Sequence, residues 1–110
     1  MVEKVEKPWG YELIFAHTDK YVGKILHINK NARLSSQYHK QKDETLFVLN
    51  GVVEVHLELN DIRKLVPGDS VQILPKVVHR IKGIMDSDIV EVSTPEITDV
   101  IRLEDDYGRV

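Results

Sequence analysis

The chain has no cysteine. That absence excludes disulfides, thiolate metal sites and a cysteine nucleophile. It also lacks a long apolar run: no stretch approaches the roughly 18 residues of a spanning helix, so no membrane partner is expected. Neither sign of charge dominates. Fifteen Lys and Arg stand against 18 Asp and Glu, for a net charge of -3, and the two signs alternate along the chain. No basic stripe therefore speaks for nucleic acid, and no basic amphipathic helix for a membrane surface. Neither Gly-x-Gly-x-x-Gly nor Gly-Lys-Ser/Thr occurs, so no phosphate-cradling loop is present. There is no Gly-x-Ser-x-Gly elbow, which argues against a serine hydrolase. The opening Met-Val-Glu-Lys-Val-Glu-Lys-Pro lacks the hydrophobic core of a secretory signal, and a cytoplasmic location is expected.

What is present is nearly all β. The 110 residues have room for one domain, and 42% apolar with 30% charged residues is an ordinary globular balance, so residues 1–110 read as a single domain. Short strands are predicted at Trp9 to Phe15, Tyr21 to Ile28, Arg33 to His39, Thr45 to Leu49, Val52 to Leu59, Ile62 to Val66, Ser70 to Leu74, Val77 to Ile81 and Asp88 to Ser93. Turn signals separate them at Asn29-Lys-Asn31, Asn50-Gly51, Asn60-Asp61, Pro67-Gly68-Asp69 and Asp86-Ser87. The alternation is clearest in one run, with Val53, Val55, Leu57 and Leu59 on one face and Glu54, His56 and Glu58 on the other. Many short strands at this spacing indicate a sandwich or barrel. The C-terminal piece is open to two readings: Thr94-Pro95 could cap a short helical turn, or Val100 to Leu103 could form a last strand.

One stretch concentrates metal-binding side chains: Gln37-x-His39-x4-Glu44-x6-Gly51. Gln37 and His39 are two apart, so on a strand both face one side of the sheet. Glu44 opens the next apolar run, which ends at Asn50-Gly51, a strong hairpin signal. His79 follows on a later β-like run. Gln37, His39, Glu44 and His79 form an N/O ligand set suited to a borderline divalent metal. His56 lies among glutamates on a polar face, and His17 and His27 read as surface or structural residues.

Together with Gly68-x5-Leu74-Pro75-x3-His79, this stretch resembles the two-part signature of the cupins. Gln37 stands where that signature has its first His, Leu74 where it has its first Pro, and Lys76 where it has a Gly. Gln, His, Glu and a distant His resemble the ligand pattern of phosphomannose isomerases. Further stretches resemble the isomerase domain of the bifunctional mannose-1-phosphate guanylyltransferase/mannose-6-phosphate isomerases: Lys7-Pro8-Trp9-Gly10-Tyr11-Glu12, Lys24 to Ile28 with Ala32 to Ser35, Pro75 to Ile81, and Ile101-Arg102-Leu-Glu-Asp-Asp-Tyr-Gly-Arg109. The likeness runs from about residue 7 to 109, and the chain would correspond to the isomerase part alone.

The resemblance implies an all-β cupin double-stranded β-helix, a jelly-roll barrel. It implies one divalent ion on Gln37, His39, Glu44 and His79, zinc first, with manganese, cobalt, nickel or iron as alternatives. The activity it implies is aldose–ketose isomerisation of mannose 6-phosphate and fructose 6-phosphate or a close relative, through a cis-enediolate, and the oligomer it implies is a homodimer. Lys42 stands where that family has an Arg before the Glu, keeping the charge without the fork. Lys24 either points into the barrel near the metal or is a solvated strand charge. Arg102 and Arg109 carry over as cations for substrate or dimer contacts, with an ion pair to Glu104 or Asp105 as the competing explanation. No base is identified, and Glu91, between two valines, is a weak candidate. Two other functions compete: a non-catalytic sugar-binding cupin, and a metal-dependent cupin dioxygenase, which would normally offer three imidazoles to iron.

Overall fold

The alternating apolar side chains become the inner walls of two facing sheets. The computed structural model describes residues 2–58 and 60–110, and among these there are eleven strands and no helix. They are β1 (Glu3–Lys7), β2 (Gly10–His17), β3 (Val22–Ile28), β4 (Ser36–Tyr38), β5 (Glu44–Asn50), β6 (Val53–Leu57), β7 (Asp61–Leu65), β8 (Ser70–Ile73), β9 (His79–Gly83), β10 (Ser87–Ser93) and β11 (Ile101–Glu104). A six-stranded sheet runs β1-β2-β3-β10-β5-β8, and a five-stranded sheet runs β11-β4-β9-β6-β7. Every pairing is antiparallel. From β5 onward the chain repeatedly changes sheets, which is the winding of a jelly-roll barrel.

The space between the sheets is divided lengthwise. At one end Leu26, Ile28, Val48 and Ile89 of the larger sheet meet Val53, Val55 and Ile81 of the smaller one in a closed apolar core. At the other end the same strands turn charged side chains inward: Lys24 on β3, Glu44 on β5 and Glu91 on β10 are all buried. Lys24 and Glu91 are direct cross-strand partners, as are Leu57 and His79. The apolar end supplies stability at roughly 25 cal/mol per Å² removed from water, and holds the strands that carry the polar end.

All nine predicted strands have counterparts. Leu59, the last residue of the fifth predicted strand, lies outside the described residues. The stretch Arg33 to His39 shortens to Ser36–Tyr38 with one isolated bridge from Arg33 to Lys82. The C-terminal piece resolves as strand β11, paired with β4. β1 has no predicted counterpart: its Glu-Lys-Val-Glu-Lys sequence has no apolar face, yet it pairs with β2 over five positions at the sheet edge.

Asn50-Gly51 is not a hairpin. β5 pairs with β10 and β8, and β6 lies in the opposite sheet, so the chain here crosses the barrel. Both edges of β5 are already occupied, which leaves no place for β6 beside it. The glycine is needed for another reason: Gly51 has φ +83°, and a Cβ there would lie 2.2 Å from Ser87 Oγ and 2.5 Å from the Asp86 carbonyl. The local hairpin is the one joining β6 to β7, in register from Leu57↔Asp61 to Val53↔Leu65.

Lys76 shows why a glycine suits its position. The Val77 N–H donates to the Leu74 carbonyl at 3.3 Å, with Pro75 and Lys76 between them and φ +70° at Lys76. Pro followed by a residue with positive φ is a type II turn, which favours Gly at the second central position. Lys76→Gly should therefore raise stability by about 1 kcal/mol, the relief of left-handed strain less the added chain entropy. Gly51→Ala should lower it by about 2 kcal/mol or more, because the added Cβ meets the Asp86–Ser87 backbone as well as adopting positive φ. Urea unfolding midpoints check both; no difference between Gly51→Ala and parent would refute the crowding at the crossing.

Candidate metal centre

His39 follows the end of β4, Glu44 begins β5 and His79 begins β9. These strand ends converge inside the polar half of the barrel, where the three side chains are only 2–3% exposed. Buried ionisable groups need partners, and each has one on its far side. His39 Nδ1 lies 2.5 Å from the Asp99 carbonyl, and His79 Nδ1 lies 2.9 Å from the Val77 carbonyl. A carbonyl only accepts, so each Nδ1 carries a hydrogen and each Nε2 is the ring nitrogen left to face inward.

Those two Nε2 atoms are buried without a hydrogen-bond partner among the described residues. They face Glu44 Oε1, at 3.5 Å from His39 and 3.3 Å from His79. All three ligand atoms lie within 4.8 Å of one another. Ligands about 2.1 Å from a shared tetrahedral centre would be about 3.4 Å apart. Two inward-facing imidazole nitrogens and one carboxylate at these separations therefore fit a divalent ion, and the group could hold one. Burial alone would raise the Glu44 carboxyl, but the facing imidazoles and the Lys42 ammonium hold it well below the usual carboxylate range, so it stays ionised.

Gln37 stands beside this group on β4, in register with His79 on one side and Arg102 on the other. Its Oε1 accepts from the Ser35 hydroxyl at 2.6 Å, and it lines the adjoining cavity together with His39. The same cavity is walled by Lys24, Lys42, Glu91 and Arg102. Lys24 is not a solvated strand charge: its side chain is enclosed and its ammonium lies 3.4 Å from Glu12. Lys42 is also buried, 3.1 Å from Glu44 Oε2 and 3.0 Å from Glu91 Oε2. Burial would lower its basicity, but the two carboxylates outweigh that and raise it, so the ammonium is charged. Burial, then the Glu44 charge, pushes the Glu91 carboxyl above the usual range against the pull of Lys42 and Lys24. Arg102 Nε is buried with no hydrogen-bond partner among the described residues. Arg109 forms the ion pair: Nη2 and Nε hold Asp105 at 2.8 and 2.9 Å, keeping that carboxyl at about 2.

Sequence reasoning missed Asp99. Its carbonyl orients His39, and its carboxylate accepts from the backbone N–H groups of Lys40, Gln41 and Lys42 at 3.0, 2.7 and 3.0 Å. The loop carrying Lys42 is thus tied to the segment before β11. No local pattern signals this, because the partners lie 57 or more residues away. The other histidines stay apart from the centre. His56 pairs with Glu54 at 3.3 Å, and His27 stacks on Tyr11 and bonds Asp88 at 2.8 Å.

A jelly-roll barrel that collects imidazoles and a carboxylate from its strand ends is a cupin. Solved structures agree on the fold. A KdgF structure from Halomonas sp. superposes with a TM-score of 0.80 at 23% identity, covering 87% of this chain and 90% of that one. An RmlC-like cupin from Shewanella frigidimarina gives 0.80 at 18% identity, covering 87% and 86%. Residues 1–105 match the family described as "Mannose-6-phosphate isomerase C-terminal", and the chain belongs to that family. It is 32% identical over 116 aligned residues to the mannose-1-phosphate guanylyltransferase ManC of Salmonella typhimurium, covering all of this chain and 24% of that protein.

His39→Ala and His79→Ala should each abolish stoichiometric binding of divalent metal, measured by elemental analysis and calorimetry, while His56→Ala should leave it intact. Metal content should also fall in acid, because protons compete with the ion for its ligand atoms. Equal affinity in the His39 and His79 variants would refute the centre. Asp99→Ala frees the loop that positions Lys42, and metal affinity should drop about tenfold or more. An unchanged affinity would show that the carbonyl of residue 99 suffices without its carboxylate.

Proposed function

We propose that this protein is a metal-dependent sugar-phosphate isomerase that interconverts mannose 6-phosphate and fructose 6-phosphate or a close relative. The observation that carries this reading is a buried His39–Glu44–His79 group whose His39 also lines a cavity, with Gln37, Lys42 and Arg102 in the same wall and Arg102 Nε unpartnered among the described residues. The family described as "Mannose-6-phosphate isomerase C-terminal" supports the same direction.

His39, Glu44 and His79, with Gln37 as fourth ligand, would hold the divalent ion, zinc first. Once bound, the ion supplies Lewis acidity to two neighbouring sugar oxygens. Arg102, half-buried with its Nε enclosed, offers a guanidinium to the phosphate, and its planar donors suit that group. Lys24 adds positive charge on the opposite strand. Lys42 is held between two carboxylates, so its ammonium serves the reacting oxygens next to Glu44 and not the phosphate. The enclosing barrel keeps water from the site and strengthens each of these interactions.

A coupled assay with metal-loaded protein should show conversion of mannose 6-phosphate, lost on adding a chelator. Arg102→Ala should raise KM for the sugar phosphate about tenfold or more while metal content stays that of the parent, since it removes a charge-assisted contact. Metal-loaded protein that converts neither sugar phosphate, yet shifts in melting temperature with one of them, would favour the non-catalytic sugar-binding cupin.

A further inference from the structure

We infer that Glu91 is the catalytic residue that carries the proton between the two reacting carbons, with Lys42 as its partner at the oxygens. This rests on the isomerase reading. Aldose–ketose exchange needs a base at the sugar carbons, and the carboxylates of the polar half can be taken one at a time. Glu44 Oε1 faces both imidazoles. Glu12 is the partner of Lys24, and the Asp99 carboxylate is filled by three backbone N–H groups. Glu91 remains. It lines the cavity from the middle of β10, and its Oε2 meets the Lys42 ammonium that also touches Glu44.

Its placement suits the task. The Lys42 ammonium touches Glu91 Oε2 at 3.0 Å and Glu44 Oε2 at 3.1 Å, so one cation joins the proposed base to a residue of the metal centre. A sugar whose oxygens lie beside Glu44 would present its adjacent carbons towards Glu91. β10 is paired on both sides, with β3 and β5, so the carboxylate stands on a rigid support.

The steps balance with these groups alone. The Glu91 carboxylate takes the proton from C2 of the open-chain aldose, the C–H electron pair forms the C1=C2 bond, and the carbonyl pair moves onto O1. The hydroxyl proton of O2 passes to O1, with the Lys42 ammonium holding both oxygens and keeping its own protons. The Glu91 carboxylic acid then returns its proton to C1 as the O2 carbonyl forms, which leaves the ketose and both side chains as they began. One base working on one face of a planar enediolate also accounts for a single carboxylate serving both carbons.

Glu91→Gln keeps size and burial but cannot accept the proton. With metal-loaded protein, kcat should fall by about 10²–10⁴-fold. KM, metal content and the melting shift with mannose 6-phosphate should stay near those of the parent. Deuterium uptake from solvent at C2 should disappear together with turnover. Glu91→Asp keeps the charge but withdraws it by one methylene; it should fold, hold metal and lose at least tenfold in kcat, which keeps the test valid if the Gln variant fails to fold. Either variant turning over within threefold of an active parent would overturn the inference. Loss of metal with Glu91→Gln would overturn it too, assigning Glu91 to support of Lys42 and Glu44. A parent that does not isomerise would instead overturn the isomerase reading on which this rests.

Discussion

A single buried ammonium organises the polar half of this barrel. Lys42 Nζ stands between Glu44 and Glu91, all three side chains enclosed. Isolated charges in such surroundings are prohibitively unfavourable, and even paired ones gain little net stability once desolvation is counted. The pairing is therefore better understood as a positional device than as a source of stability. It joins the start of β5 to the middle of β10 and fixes the approach to the imidazoles. Lys24 and Glu12 repeat the arrangement one strand further along. The stability that offsets these burdens comes from the apolar half, where Leu26, Ile28, Val48, Val53, Val55 and Ile89 are at most 1% exposed.

The same division of labour explains how the imidazoles are set. Each takes its tautomer from a backbone carbonyl, Asp99 for His39 and Val77 for His79. A carbonyl cannot change protonation state, so the rings keep their orientation and the Nε2 atoms face inward whatever the side chains around them do. The two carbonyls belong to distant segments, one before β11 and one in the turn before β9. Closing the barrel is thus what completes the centre, and no single hairpin could assemble it.

Much of this was legible in the sequence because strands have a simple period. Spacing alone put Gln37 and His39 on one side of a strand, the resemblance to the cupin signature added Glu44 and His79, and the apolar alternation of Val53, Val55 and Leu57 marked a buried face of the smaller sheet. What escaped depends on partners remote in sequence. Asp99 binds a loop to which no pattern connects it. Glu91 looked unpromising because a carboxylate flanked by valines on a strand would ordinarily face water; only the folded chain brings Lys42 to it. β1 carries no apolar face and exists because β2 offers it an edge. Asn50-Gly51 announces positive φ and a tight change of direction, yet nothing in two residues says which sheet the next strand joins.

The difference between lysine and arginine at position 42 bears on the chemistry. A guanidinium is planar and tends to grip one carboxylate or phosphate with two parallel bonds. An ammonium is a compact charge with three donors directed apart, so it can serve two acceptors in different directions. The observed geometry uses that freedom, with Glu44 and Glu91 on separate sides of Nζ at nearly equal distances. A lysine so engaged has no fork to extend towards the rim of the cavity, whereas Arg102 stands on the wall with its Nε unpaired. The two cations thus stand differently in the wall, Arg102 on β11 with its Nε unpaired and Lys42 on the β4–β5 loop committed to two carboxylates.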